Sequence, residues 1–312
     1  MFGRMFKSIA IDAGMLDLHQ KWIDHLAGGV PINLSHQTIN ELELEEVNLS
    51  GARFTSTTLT DAELLACDLT GAVLERAHLK EAVLTGSDLS EANLQGACFD
   101  GAWCNEVQFS EAVLDESSFR GAHLENARFL GVKMHRMDLT QADLTDAAFH
   151  QARFFECRLV SANLFQANFS GATMANCRFT SANLEDALFA RVRAQNCDFS
   201  QVTATGLRAG TADFSGCDFH DAEMPGVDFR ETNLKSTNFS GADLSGGRFA
   251  KANLHLADLR GTNLRGVRDI TGDQLALALT DSHTVLPNGS TGPYQRGSGA
   301  EKLFRVGQNL DS

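Results

Sequence analysis

The sequence predicts an all-β fold in which the chain winds into a long coil of stacked turns. Large apolar residues recur every five residues from Leu34 to Leu264, and small residues lie two positions before them. The register does not slip over this stretch. Because a helix repeats about every 3.6 residues and an ordinary strand every two, neither explains a period of five. Each quintet is therefore expected to turn a corner, with one small and one large side chain inside the coil.

The quintets also carry a motif. They read Ala-Asn-Leu at residues 92–94, 162–164 and 252–254, and Ala-Asp-Leu at 242–244. This A(D/N)Lxx pattern, present over about three quarters of the chain, resembles the pentapeptide-repeat family. The resemblance implies a right-handed quadrilateral β-helix with four quintets per coil. It also implies about twelve coils over residues 31–268, which at about 4.8 Å per coil would span about 55 Å.

Both ends of such a solenoid need caps, because an open end exposes unpaired strand edges. Residues 1–30 are predicted to form a helical N-terminal cap. Its expected apolar face consists of four residues that precede the helix-ending Gly28: Leu18, Trp22, Ile23 and Leu26. The segment resembles the leader that often precedes these repeats.

The other end is predicted to close with a cap helix within residues 269–287. Thr271 can N-cap a helix from Gln274 to Leu279, and residues 284–287 resemble the tail that often closes these solenoids. The family often pairs through C-terminal helices, so a homodimer is expected to use Leu275, Leu277 and Leu279. Residues 288–312 are rich in Gly and Ser and are predicted to form a flexible tail.

Residues 20 positions apart support a coil of four quintets independently of the resemblance. Four cysteines share the small inward position at this spacing: Cys157, Cys177, Cys197 and Cys217. They should form one column. A straight row of thiols cannot surround a metal tetrahedrally, so packing is favoured over a metal or redox role. Phenylalanines are expected to stack in the same way, in columns 109–189 and 179–239.

The sequence offers little for catalysis. The histidines are scattered without metal-ligand spacing, and no phosphate-binding glycine loop is present. Asp281, Ser282 and His283 are consecutive, so they cannot align as nucleophile, base and orienting acid. No catalytic residue, cofactor or metal is predicted, and the protein is not expected to be an enzyme.

The net charge and the cysteine content limit the kinds of partner and the compartments that are expected for this chain. The net charge of -14 argues against direct binding to nucleic acid, which depends on Lys and Arg. No apolar run predicts a signal peptide or a membrane span. The seven cysteines form no CxxC pair, which indicates free thiols in a reducing compartment. We therefore expect a cytoplasmic protein.

Folding the sequence at a period of 20 places most of the net charge on one side. The side formed by residues 42–46, 62–66 and onward to 262–266 has twelve acidic residues and a single base, Arg265. The predicted partner-binding residues are acids of this side and one outward-facing aromatic: Glu43, Glu63, Trp103, Glu125, Asp143, Asp146, Glu185, Asp186, Glu223 and Asp243. The alternative is that the acids serve only solubility.

The predicted function is a non-enzymatic interaction module that presents this acidic face to a protein partner, either basic or DNA-binding. The alternative is a DNA mimic that binds type II topoisomerase and inhibits or protects it, since some members of the family bind DNA gyrase as acidic rods. Duplex DNA has one charge per about 1.7 Å, or about 32 over 55 Å, so the mimicry would be diluted. A structural scaffold belongs to the same class as the interaction module, since both need only a stable exposed surface, and an enzyme is the third and least favoured interpretation.

One coil is expected to be weak. Ala194, Ala204 and Ala209 replace the large inward residue there, which removes apolar contacts. The pattern leaves open whether residues 192–211 stay in the coil or leave it as a loop.

Overall fold

The computed structural model describes residues 11–39 and 42–303. The chain divides into two units, Met1–Thr173 and Met174–Ser312, and each is described by itself. Residues 1–10 of the predicted N-terminal cap and residues 304–312 of the predicted tail lie outside the described residues.

The first unit is a parallel β-solenoid with a 20-residue coil. Parallel bridges join each residue of a ladder to the residue 20 positions later, and four ladders start in the first coil: Asn33↔Arg53, Thr38↔Thr58, Glu43↔Glu63 and Asn48↔Asp68. Four bridged sides per coil follow from this pattern. The bridges are mostly single because each quintet extends over only a few residues before it turns.

Where the extended stretch reaches three residues it forms a short strand. The described residues contain six such strands: β1 (Glu43–Glu45), β2 (Glu63–Leu65), β3 (Lys133–His135), β4 (Arg153–Phe155), β5 (Thr173–Ala175) and β6 (Arg193–Gln195). In the first unit β1 pairs with β2 and β3 pairs with β4, both parallel and in register.

The second unit repeats the arrangement. Its four ladders include the bridges Arg178↔Asp198, Asn183↔Thr203, Leu188↔Arg208 and Arg193↔Asp213. Residues 192–211 therefore stay in the coil, which answers the question that the sequence left open. The predicted all-β solenoid fold is confirmed.

The corners explain the polar part of the motif. The last residue of most quintets has a positive φ, as at Gly71 (φ 63°) and Glu91 (φ 60°), and this region suits glycine best. The side just before the corner often contains an Asp or Asn, whose side-chain oxygen accepts a hydrogen bond from the backbone N–H two residues later. Asp88 Oδ1, for example, accepts from Ser90 N at 2.8 Å. These short side chains hold the turn without occupying the interior.

The interior is apolar and ordered in ladders. In the first unit the rings of Phe109, Phe129 and Phe149 are stacked with centroids 4.8 and 4.9 Å apart. In the second unit Phe199 is stacked on Phe179 at 4.6 Å and on Phe219 at 4.7 Å. All are fully buried or nearly so. Offset stacking adds to the hydrophobic gain of burial, so the columns stabilise neighbouring coils.

The N-terminal helix α1 spans Ala13–Ile23, and Asp12 caps it by accepting a hydrogen bond from Met15 N at 2.8 Å. Leu18, Trp22 and Leu26 of the expected apolar face are exposed, and of these three Trp22 still contacts the first coil, with its ring against Gly51. His19 is the fully buried residue of the helix, and its Nδ1 accepts a hydrogen bond from Ile32 N at 3.2 Å. A polar side chain closes this end because Ile32 N lies at the first coil and needs an acceptor.

At the other end α2 spans Gly272–Ala276, shorter than the predicted Gln274 to Leu279. Thr271 caps it as predicted, in a capping box with Gln274. The side chain of Gln274 also donates to the carbonyl oxygens of Phe249 and Ala252, both at 2.8 Å, so it satisfies acceptors of the last coils. Leu275 is buried, so it does not belong to a dimer surface, whereas Leu277 and Leu279 are exposed.

The described part of the predicted tail folds back on the cap. Asn288 N donates to Ala300 O at 3.1 Å, and Tyr294 N donates to Thr280 Oγ1 at 2.9 Å. Ala300 is buried. The flexibility of residues 288–312 stays a prediction.

Candidate functional site

The acidic side of the first unit consists of the quintet 42–46 and of every fourth quintet after it, at steps of 20 residues, up to 162–166. One continuous ladder runs along it: Glu43, Glu63, Val83, Trp103, His123 and Asp143. The first-unit candidates on this ladder therefore share one side of the solenoid. The side has eight acidic residues and neither Lys nor Arg. Glu43, Glu63 and Asp146 are exposed.

Not all of these acids are free to bind a partner. Asp143 is half-buried, and its Oδ1 accepts hydrogen bonds from Thr145 N at 3.1 Å, Thr145 Oγ1 at 2.7 Å and Asn163 Nδ2 at 3.0 Å. The carboxylate holds its own turn and connects two coils. We therefore assign Asp143 a structural contribution that its outward position in the sequence pattern did not indicate.

Glu125 differs from Asp143. Its Oε2 is buried and has no hydrogen-bond partner among the described residues, and the same holds for Oδ1 of Asn105 one coil earlier. A buried acceptor without a donor is unfavourable by about 1–3 kcal/mol. The two residues therefore retain acceptor capacity that the solenoid itself does not use.

Trp103 is the most prominent apolar residue of this side. Its side chain is 47% exposed, and its ring is stacked on His123 with centroids 3.8 Å apart and an interplanar angle of 13°. The pattern of the sequence predicted that Trp103, Phe155, Phe165 and Leu188 point outward. Trp103 and Phe155 are exposed, whereas Phe165 and Leu188 are half-buried.

The acidic side of the second unit has fewer charges. Glu223 and Asp243 belong to one ladder with Thr203 and Asn263. Asp243 accepts from Ser245 N at 2.9 Å and from Asn263 Nδ2 at 3.0 Å, so it also holds a turn. Glu223 is exposed. The other two candidates of this unit, Glu185 and Asp186, are half-buried.

Ion pairs distinguish the acidic side from the others. In the first unit Arg136, on another side, lies between Glu116 at 3.5 Å and Glu156 at 3.0 Å. Arg120 pairs with Asp138 at 3.1 Å. Over residues 11–39 and 42–303, no acid of the acidic side takes part in an ion pair. Its negative charge is therefore uncompensated by neighbouring side chains.

Six of the seven cysteines are buried in the interior, and Cys98 is half-buried. In the second unit, hydrogen bonding with Cys197 and burial raise the pKa of Cys217. In the first unit burial raises the pKa of Cys67 to about 11 and raises that of Cys104 as well. Such thiols are protonated near neutral pH and are weak nucleophiles. Among the described residues, no three His, Cys, Asp or Glu side chains converge on a metal position.

The sequence missed two contributions to the acidic side, the stack of His123 on Trp103 and the unpaired acceptor of Asn105. The 20-residue spacing of Trp103 and His123 was the available signal for the stack.

No helix in the described part of the chain is long and apolar enough to cross a bilayer.

Comparison with solved structures finds several similar chains, among them HetL and QnrB1. HetL, a pentapeptide repeat protein involved in heterocyst differentiation regulation from the cyanobacterium Nostoc sp. strain PCC 7120, is 25% identical, with a TM-score of 0.29, over 90% of this chain and 99% of that chain. Full-length QnrB1, a plasmid-mediated fluoroquinolone resistance protein, is 20% identical, with a TM-score of 0.25, over 61% of this chain and 92% of that chain. Both TM-scores are low, so neither structure supports an argument about function.

Comparison with curated proteins finds no match. The family described as Pentapeptide repeats matches in 8 copies, over residues 67–102, 108–146, 131–159, 167–206 and 212–249. These ranges cover more than half of the 312 residues. They coincide with the quintets whose bridges, corners and buried ladders are described above. The chain therefore belongs to the pentapeptide-repeat family.

Proposed function

We propose that this protein is a non-enzymatic interaction module whose acidic side binds a basic segment of a partner protein. The observation that supports the proposal is the uncompensated charge of the acidic side in the first unit. Several bases on the other sides pair with acids, Arg120 and Arg136 among them, whereas the eight acids of this side have no Lys or Arg among them. A surface of one sign attracts and orients a partner of the opposite sign.

The compartment and the assembly state are further proposals. The cytoplasm suits a chain whose seven cysteines are all free. A homodimer through the C-terminal cap would have to use Leu277 and Leu279, which are exposed, without Leu275.

Two matched pairs of charge reversals test the acidic side. Glu106 and Asp146 are exposed corner residues of the acidic side with φ values of 62° and 57°. Glu91 and Glu111 are exposed corner residues of another side, both with φ 60°. E106K/D146K and E91K/E111K therefore change the net charge and the strain at the corners equally.

Wild type and both double variants are immobilised and exposed to an extract of the native host at several salt concentrations. We expect a basic protein to be retained by wild type and by E91K/E111K, to be lost from E106K/D146K, and to bind less as ionic strength rises. Equal retention by all three proteins would refute a binding function of the acidic side.

The narrower candidate is a DNA mimic that binds type II topoisomerase, and the same unpaired acids favour it. The test is DNA gyrase supercoiling and topoisomerase IV relaxation with rising concentrations of the protein at low salt. Inhibition or protection that E106K/D146K loses would support the mimic. If the protein affects neither enzyme and binds neither of them, topoisomerase is excluded as the partner. The interaction with another basic protein would then stand.

A further inference from the structure

Trp103 lies in the middle of the acidic side of the first unit, and its surroundings suit one kind of ligand. We propose that Trp103 is the docking point for an arginine side chain of the basic partner, with Glu63, Glu106, Asn105 and Glu125 as the surrounding acceptors. This inference rests on the proposed function of the acidic side and specifies the chemistry that the side recognises.

The first argument is the fixed orientation of the indole ring. His123 covers one face at a centroid distance of 3.8 Å, which holds the ring in place from the following coil. Val83, the ladder neighbour on the preceding coil, has a much shorter side chain than a tryptophan or a histidine. The indole stays 47% exposed. An immobilised, accessible tryptophan is the best aromatic partner for a cation, and a planar guanidinium stacks on it better than an ammonium does.

The second argument is the acceptors around this ring. Glu106 follows Trp103 at the next corner and is exposed, and Glu63 is exposed two coils earlier on the same ladder. Neither forms an ion pair in the described part of the chain. Glu125 Oε2 and Asn105 Oδ1 have no donor among residues 11–39 and 42–303, so no hydrogen bond to these atoms opposes a turn of the side chains outward. A guanidinium supplies five N–H donors for such a set.

The third argument is a contrast on another side of the same unit. Phe155 is 43% exposed and lies 5.3 Å from His135 on the preceding coil, so it is also an exposed aromatic beside a histidine. Its neighbours include Lys133 and Arg153, which share its strand or the paired strand, and the acid beside it, Glu156, is already paired with Arg136 at 3.0 Å. Positive charge there disfavours a second cation. Charge, rather than exposed aromatic area, therefore distinguishes Trp103.

The test uses the full chain and an arginine–glycine repeat peptide as the probe, with a lysine–glycine peptide of equal length for comparison. The chain has two tryptophans, so its nitrogen-15 NMR spectrum has two indole signals, which W103L assigns. We expect the arginine peptide to shift the Trp103 signal and to leave the Trp22 signal in place. We expect W103L to weaken binding about fivefold and F155L to leave it unchanged.

E125Q provides a second variant that does not alter the aromatic stack, and it should weaken arginine binding in the same direction. Binding that W103L and E125Q leave unchanged would overturn the arginine site while the proposed function of the acidic side stands. Equal affinity for the lysine peptide would overturn the recognition of a planar cation. No binding of either peptide at low ionic strength would contradict both this site and the proposed function.

Discussion

At the scale of single residues, His19 shows how the first coil is closed. Its Nδ1 accepts the hydrogen bond of Ile32 N, so the ring proton lies on Nε2, which is buried without a partner among the described residues. The ring is also stacked on Trp22 at 5.6 Å, and Trp22 in turn covers Gly51, where a Cβ would lie 2.7 Å from the indole. The neutral form of His19 is therefore part of the cap.

Burial lowers the pKa of His19 below its ordinary value of about 6.5. Since the unfolded chain then binds the proton more readily than the folded chain, the stability of the cap is complete above about pH 6.5 and falls as the pH drops below it. W103F leaves Trp22 as the single tryptophan of the chain. The fluorescence of Trp22 in this variant should report the opening of the cap between pH 7 and 5. H19N, whose amide oxygen keeps an acceptor, should lose this pH dependence; an unchanged profile in H19N would contradict the assignment.

Cys197 is the middle of three buried thiols in the second unit, with Cys177 and Cys217 on either side. Its hydrogen bonds with Cys177 and Cys217 are the main influence lowering its pKa. We expect the column to contribute packing alone. C197A should cost less than about 2 kcal/mol in the free energy of unfolding, because it removes one small atom from the interior. Elemental analysis should find no stoichiometric metal in the wild type; one equivalent of zinc that C197A loses would reverse this interpretation.

At the scale of one element, residues 192–211 form the coil with the smallest interior side chains. Ala194, Ala204 and Ala209 are buried, and the bridges Arg193↔Asp213 and Thr203↔Glu223 hold the coil in its ladders. Phe214 lies edge-on to Phe199 at 5.7 Å, so a large ring of the next coil packs close to this region. The backbone pairing therefore persists where the side-chain packing is thinner.

Fewer apolar contacts should lower the local free energy of opening, so the amides of residues 192–211 are expected to exchange with solvent faster than those of residues 212–231. Hydrogen exchange measured by NMR tests this within the second unit. F214A should increase the difference, because it removes a ring that packs edge-on against the thin coil, and should cost about 3–5 kcal/mol in global stability. Equal protection of the two segments in the wild type would show that the alanines cause no weakness.

At the scale of the whole molecule, the aspartates that hold the turns couple the fold to pH. Hydrogen bonds from the turn outweigh burial and lower the pKa of several of them: Asp68, Asp138, Asp198 and Asp213. For Asp228 the hydrogen bond from Arg230 is the largest cause of the lowered pKa. Each turn is therefore best held by the charged carboxylate.

A carboxyl with a lowered pKa in the folded state contributes stability that is present above its unfolded value of about 3.9 and is lost as the pH falls below it. Urea unfolding should therefore show a marked loss of stability between about pH 5 and pH 2. The triple variant D68N/D138N/D198N keeps an acceptor in each turn and should depend less on pH in this range. If the stability of the triple variant falls with pH as steeply as that of the wild type, the turn aspartates do not cause the loss of stability in acid.

The sequence by itself determined the all-β solenoid, the residues of its core and the side on which each charge lies. It could do so because a five-residue turn imposes the same inward and outward positions on every quintet, so the pattern is repeated and local. The tertiary structure alone decided how the side chains pair between coils. It placed Asn163 against Asp143, left Glu125 Oε2 without a donor among the described residues, stacked His123 on Trp103, and closed the first coil with His19 and the ring of Trp22. These contacts join residues on different coils or on the cap, and they depend on side-chain orientation, which a periodic pattern does not encode.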